Sequence, residues 1–272
     1  MNAPSSKTVH VHSASAAHRQ LGYTVRLDWG TAGARTVAPG ADLAVVVDVL
    51  SFSTCVSVAL DRGAEVFPFP WKDTGAEDFA AHHSAQLAGP RDGGGLSLSP
   101  ASLRAAASLQ RVVLPSPNGS ALCHVLAGEV PLVAAVCLRN AAATAEWVAA
   151  NLAEDAVIAV VAAGERWPDG TLRPAVEDQI GAGAFIAGLA ASGKGGYEAA
   201  DGWDGRHGYS PEAVAAVAVF EASEPRLREA LHGCASGREL AGGGYGHDVD
   251  IAAELDDSDA VAILANGSFG PR

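Results

Sequence analysis

Short apolar runs recur along the chain, each closed by proline, glycine or a polar cluster. Residues 43–50 (LAVVVDVL) are apolar on both alternating faces except for one acid, which predicts a parallel strand covered on both sides. Residues 64–69, 111–114, 132–138, 156–162 and 260–264 read as further strands; prolines at 68, 70, 115 and 117 close the first two of these. Helix-forming stretches fill the intervals: 53–60, 76–87, 100–109, 119–126, 141–152, 176–190, 211–221, 224–232 and 249–254. The stretch 176–190 is apolar almost all round, which assigns it to the core or to the interface of a homodimer. This strand–helix alternation predicts an α/β fold of three layers, α/β/α, around a largely parallel or mixed sheet, built as one unit or as two similar α/β lobes. Residues 1–20 read as a flexible tail and 21–272 as a single domain. The glycine-rich stretches 88–99 and 192–210 read as loops or lids, the second also as a sub-lobe boundary.

Composition narrows the function. The 272 residues carry 18 Lys and Arg against 31 Asp and Glu, a net charge of −13. So acidic a chain repels phosphate backbones and anionic lipid, which argues against a nucleic-acid or membrane partner. No uninterrupted apolar run reaches the about 18 residues of a membrane span. The four cysteines, Cys55, Cys123, Cys137 and Cys234, form no C-x-x-C pair and read as the scattered thiols of a reduced, cytoplasmic protein. If the ligand is a small anion, this acidity calls for a local cation, and a bound metal is one solution.

Ligands of α/β sheets bind beyond the carboxyl ends of the strands, so the polar residues there are the candidates. Asp48 interrupts an apolar strand, where an acid is costly unless paired or bound to metal. Ser51, Ser53 and Thr54 follow at a helix start and either cap it or bind an anion. Asn118, Gly119 and Ser120 join a strand to a helix through a turn whose N–H groups suit an anion or the charge of a transition state; an ordinary capped turn has the same signature. Arg139 and Asn140 repeat the theme one strand later, and Arg139 has the fork for a phosphate or sulfonate. Gly164 ends a strand beside Arg166. Glu177 and Asp178 open the apolar helix, where the dipole favours them and where they also suit a hard cation. His247 and Asp248 lie near a late helix start; His247 is a general acid–base candidate or an ordinary surface residue. There is no P-loop, G-x-G-x-x-G or H-E-x-x-H. The Asp48 strand resembles the nucleophile strand of haloacid-dehalogenase-like phosphatases, but Leu50 stands where those carry a second Asp.

Taken in order, these pieces resemble the 2-phosphosulfolactate phosphatases of the ComB type. The resemblance is carried by VVVDVLSFSTCVSVAL, LSLSP, PSPNGSAL, CLRNAAATAEWV, VVAAGERW with VEDQIGAGAFIAGL, and SGREL with GYGHDVDIAAELD, over about residues 40–258. It implies Mg²⁺-dependent hydrolysis of phosphosulfolactate to sulfolactate and phosphate, a step toward coenzyme M. It further implies that Asp48, Asn118 and Asp178 are catalytic, and that Asp48, Glu177, Asp178 and Asp248 hold the metal. The substrate would meet Ser51, Ser53, Thr54, Asn118, Gly119, Ser120, Arg139, Asn140, Gly164 and Arg166. The family commonly has Arg-Ala-Thr-Thr after Asp-Val-Leu; here the residues are Ser51, Phe52, Ser53 and Thr54, with Arg139 or Arg166 as candidates for the missing charge. A phosphatase for a different small phosphorylated hydroxy acid, or a non-catalytic binder of a small acidic metabolite, are the competing expectations.

Overall fold

The computed structural model describes residues 15–70, 75–194 and 208–270. Its strands are β1 (Val25–Trp29), β2 (Leu43–Val47), β3 (Glu65–Pro70), β4 (Gln86–Leu87), β5 (Arg111–Ser116), β6 (Leu132–Val136), β7 (Ile158–Ala162), β8 (Glu165–Arg166), β9 (Leu172–Arg173), β10 (Ala262–Ala265) and β11 (Ser268–Phe269). The helices are α1 (Gly30–Val37), α2 (Phe52–Asp61), α3 (Ala76–His82), α4 (Pro100–Ala105), α5 (Gly119–Leu126), α6 (Ala141–Asn151), α7 (Val176–Ala191), α8 (Pro211–Ser223), α9 (Leu227–Gly233), α10 (Ala235–Gly242) and α11 (Gly246–Ala252).

Nine strands form one mixed sheet in the order β1-β7-β2-β6-β10-β11-β3-β5-β4. Two parallel blocks can be told apart: β1, β7, β2 and β6 on one side, and β3, β5 and β4 on the other. The antiparallel pair β10–β11 joins them, β10 beside β6 and β11 beside β3. The remaining two strands, β8 and β9, form a separate hairpin.

Both faces of the sheet are covered, making three layers. In β2 the alternation is visible residue by residue. Leu43, Val45 and Val47 point into a core shared with α6, α7 and α8, while Ala44 and Val46 point into a second core with α1, α2 and α5. Helix α7 supplies Ile180, Phe185, Ile186 and Leu189 to the first core, all essentially inaccessible to solvent, and packs along α6 and α8. The apolar stretch 176–190 is therefore a core helix.

Several elements depart from the pattern-based expectation. Strand β1 (VRLDW) carries Arg26 and Asp28, so it lacks an apolar run; Arg26 is nonetheless buried and donates to the carbonyls of Tyr23 and Val37. The helix expected over 76–87 ends at His82, because Ser84 adopts a left-handed φ of 50° and the chain continues as β4. Helices α1 and α10 are rich in glycine and polar residues; the buried face of α1, Gly30, Gly33, Ala34 and Val37, has helical spacing but is made of small residues, so neither helix shows an apolar stretch. Of the stretch 192–210, residues 195–207 lie outside the described residues, as do 1–14 of the expected tail. Gln20, at that tail's end, is buried, with its side chain paired to both backbone groups of Leu27. Among the described residues no helix is long and apolar enough to cross a membrane.

Candidate active site

The chain leaves β2 at Asp48, whose side chain turns to the α2 and α5 face of the sheet. There two helix starts meet it. The N–H of Phe52, first residue of α2, donates to Oδ1 at 3.2 Å, and the N–H of Gly119, first residue of α5, donates to Oδ2 at 2.8 Å. The anion held by these helix starts is thus a carboxylate of the protein itself. Gly119 is required by closeness: a Cβ there would stand 2.2 Å from the Phe52 ring and 2.8 Å from Asp48 Oδ2. The neighbouring hydroxyls brace the loop. Ser53 Oγ donates to the Val46 carbonyl and accepts from the Asp48 N–H, both at 3.2 Å, and Thr54 Oγ1 donates to the Val49 carbonyl at 2.7 Å.

Asp178, in the first turn of α7, bridges two strand ends. It accepts from the Val49 N–H at 2.7 Å and from the Gly164 N–H at 2.8 Å. Gly164 has φ +65°, and a Cβ there would stand 2.8 Å from the Leu172 side chain, so β7 can turn into the β8–β9 hairpin only with glycine at this point. That turn delivers Glu165, whose Oε2 accepts from Asn118 Nδ2 at 3.1 Å.

Four acids from distant parts of the chain, Asp48, Glu165, Glu177 and Asp178, are thereby brought together. Burial pushes Asp48 up to about 7, reinforced by Glu165 and, more weakly, Glu177; the two N–H donors oppose the shift without cancelling it. Asp178 is raised well above the carboxylate range by burial, Asp48 and Glu177, and Glu165 is raised by burial against the Asn118 hydrogen bond. Glu177 is 2 % exposed, and next to it the Cys234 thiol is raised to about 12 by burial and by Glu177. Among the described residues, Asp48, Glu177 and Asp178 have no basic salt-bridge partner. No three acid, His or Cys side chains of these residues are placed to ligate one ion directly.

Two cavities flank the hairpin. One, of about 490 Å³, is lined by Leu50, Arg91, Arg173, Ser236, Tyr245 and others; the second, of about 260 Å³, by Trp29, Asn118, Leu122 and Leu172 among others. Glu165 and Arg166 line both. Asp48 and Asp178 lie behind this wall; of the clustered acids Glu165 is the one that lines both cavities, and Glu239 joins it in the larger.

Several expected substrate contacts are placed elsewhere. Arg139 is 2 % exposed, and all three guanidinium nitrogens are engaged: with Asp61 at 2.7 Å, Asp257 at 3.2 Å, Glu254, and Ser57 Oγ at 3.3 Å. Asp61 lies nine residues beyond Phe52, about 13 Å along α2, so this network serves the far end of that helix. Asn140 uses Oδ1 on the Cys137 N–H and Nδ2 on the carbonyls of Ala135 and Ala260, tying β6 to the approach to β10. Ser120 Oγ is spent on the Leu114 carbonyl and the Gly119 N–H on Asp48, so neither is offered to a substrate anion. Ser53 and Thr54 are fully buried in the bonds described above. Asp248, expected among the metal ligands, stands instead against Arg91, 3.5 Å from its Nε, and accepts from Ser99 Oγ at 2.6 Å and the Ala101 N–H at 3.0 Å. His247 is exposed, 3.8 Å from Asp250. Ser51 is buried and accepts from Arg91 Nη2 at 2.9 Å.

Three residues of the site were not foreseen: Glu165, Arg91 and Arg173. Glu165 lies within VAAGER, between Gly164 and Arg166, and a carboxylate beside a strand-ending glycine was the available signal. Arg91 sits in a glycine-rich loop with no periodic pattern, and only the fold brings it to Ser51.

A mixed α/β sheet that gathers buried acids and several arginines at its strand ends, beside open cavities, is the architecture of an enzyme for a small anionic metabolite. The model of the 2-phosphosulpholactate phosphatase family matches residues 34–267, and the chain belongs to that family. It is thereby a phosphatase, a hydrolase acting on phosphoric monoesters.

Proposed function

We propose that the protein is a Mg²⁺-dependent phosphatase of a small acidic metabolite, with 2-phosphosulfolactate, cleaved to sulfolactate and phosphate, as the leading substrate. The observation that carries this reading is the convergence of Asp48, Glu165, Glu177 and Asp178 next to a cavity lined by three arginines. The donor set is all oxygen, buried and without a basic partner for three of the four acids, which suits a hard cation. Mg²⁺ retains several waters and takes one or two carboxylates, so it does not need a three-acid cage; Asp48, Glu177 and Asp178 would hold it directly or through water. When bound, the ion neutralises phosphate oxygens and acidifies an attacking water.

The chain's own groups do the rest. Asn118 Nδ2 orients Glu165, and Glu165, raised by burial, receives a proton from the attacking water at its carboxylate. With the Gly119 N–H committed to Asp48, the charge of the phosphoryl group is met by the guanidinium of Arg166 beside Glu165. The test is phosphate release from 2-phosphosulfolactate with Mg²⁺ and with EDTA. Turnover that survives EDTA rejects the metal, and full activity of Asp48→Asn rejects Asp48. Ser51 at a position where an arginine is common in the family favours a second candidate, another phosphorylated hydroxy acid; a panel with phosphoglycolate, phospholactate and phosphoglycerate separates the two.

A further inference from the structure

Glu165 reaches the site on a separate support. The β8–β9 hairpin pairs Glu165 with Arg173 and Arg166 with Leu172, and it stands outside the nine-stranded sheet. A hairpin this short does not hold its own place in water. Beyond its strand pairing, several of its polar contacts are internal. The Trp167 N–H donates to the Thr171 carbonyl at 2.9 Å, Arg166 Nη1 to the Gly170 carbonyl at 3.1 Å, and Thr171 Oγ1 to Asp169 Oδ1 at 2.6 Å. Two side-chain hydrogen bonds tie it to the body of the protein: Asn118 Nδ2 to Glu165 Oε2 and Arg173 Nη2 to Ser236 Oγ, each at 3.1 Å. The first ends on the very residue that has to be placed, and the second on a long side chain with many rotamers.

The apolar contact is made by Leu172. It is 39 % exposed, yet its Cδ1 is sunk between two glycines. A Cβ on Gly30, the first residue of α1, would stand 3.1 Å from that methyl, and a Cβ on Gly164, just after β7, 2.8 Å from it. The methyl fills the space that a side chain at either position needs. This notch joins the start of α1, the turn out of β7 and strand β9, and it lies one residue from Glu165 along the chain. Leu172, Asn118 and Glu165 also line the same cavity of about 260 Å³. We propose that Leu172 is a positioning residue: seated between Gly30 and Gly164, it docks the hairpin on the body of the protein and so holds Glu165 against Asn118. It touches no reacting atom and acts through Glu165, so this inference rests on the phosphatase reading above.

The test measures phosphate release from 2-phosphosulfolactate by Leu172→Ala and Leu172→Met. A displacement of about 1 Å at a reacting group costs up to about 100-fold in rate, so Leu172→Ala is expected to lower kcat by about fivefold or more, with KM within about threefold. Leu172→Met, flexible and long enough to refill the notch, recovers most of the loss. A second readout needs no turnover: the side-chain amide signals of Asn118 by NMR, in protein isotope-labelled at its five asparagines and assigned by their absence from Asn118→Ser. Leu172→Ala moves these signals toward those of a water-exposed amide, and Leu172→Met leaves them in place. A smaller fall in kcat, Asn118 signals unmoved by Leu172→Ala, or a Leu172→Met as impaired as Leu172→Ala each overturns the proposal. Should Leu172→Ala fail to fold, Leu172→Val, one carbon shorter than leucine, is read the same way. If the unsubstituted protein releases phosphate from neither this ester nor the panel above, the phosphatase reading fails, and the Asn118 signals alone decide on Leu172.

Discussion

Asp48 accepts two backbone N–H groups at helix starts, an environment that ordinarily favours the charged carboxylate, and still titrates at about 7 because burial and Glu165 outweigh both donors. The consequence for stability has a definite sign. The folded protein holds the Asp48 proton more tightly than the unfolded chain, so this contribution is fully present below the ordinary value of 3.8 and is lost as pH rises through about 7. Asp178 acts in the same direction. Metal-free protein is therefore expected to lose about 5 °C in Tm between pH 5.5 and pH 8, and Asp48→Asn to flatten that slope; a thermal scan in EDTA at the two pH values measures it. The same substitution is expected to lower kcat by about 100-fold or more at saturating Mg²⁺. At Gly119 the space is already taken by Phe52 and Asp48, so Gly119→Ala is expected to cost about 2 kcal/mol in urea unfolding and to shift the Asp48 carboxylate. In both cases a residue type visible in the sequence, an acid in an apolar strand and a glycine after an asparagine, marked the right place. The identity of the partners was not visible, because Asp48 and Gly119 are 71 positions apart and meet only through the order of the strands.

At the level of elements, periodic stretches were legible and polar ones were not. Strand β2 buries every residue it carries and helix α7 buries all its large apolar side chains after Val176, so both patterns were legible. Strand β1, helix α10 and the β8–β9 hairpin are held by tertiary contacts rather than by an apolar run, and the hairpin carries Glu165 and Arg173, two of the three site residues the pattern did not expose. Arg139 shows the converse error: a well-placed arginine after a strand, which the fold uses to join α2 to the segment after α11. Arg139→Ala leaves Asp61 and Asp257 without their cation, Glu254 retaining Arg104; because these acids are partly exposed, the expected destabilisation is about 1–3 kcal/mol. Because that network lies outside the two cavities beside the hairpin, with Asp61 and Asp257 facing a different hollow, kcat per folded molecule should stay within about twofold at 20 °C; a loss of several orders of magnitude in folded protein would return Arg139 to the site. In α7, Phe185→Ala is expected to cost about 3–5 kcal/mol by urea titration, since the ring is wholly inside the first core.

Across the whole molecule, strand–helix alternation was enough to expect three layers with a mixed sheet, and both readings of its organisation contained part of the answer: one continuous sheet made of two parallel blocks. The strand expected over 260–264 is β10, but its role as the junction was not legible, since its antiparallel partner β11 is two residues long and carries no pattern of its own. That junction has a temporal consequence. Each block can assemble from chain already synthesised, but the sheet cannot become continuous until residues 262–269 leave the ribosome, and until then β6 and β3 each present an unpaired edge. A chain stopped at residue 259 is therefore expected to retain helical signal, lose cooperative unfolding and self-associate through those two open borders, a failure that a peptide spanning 260–270 supplied in trans should partly repair.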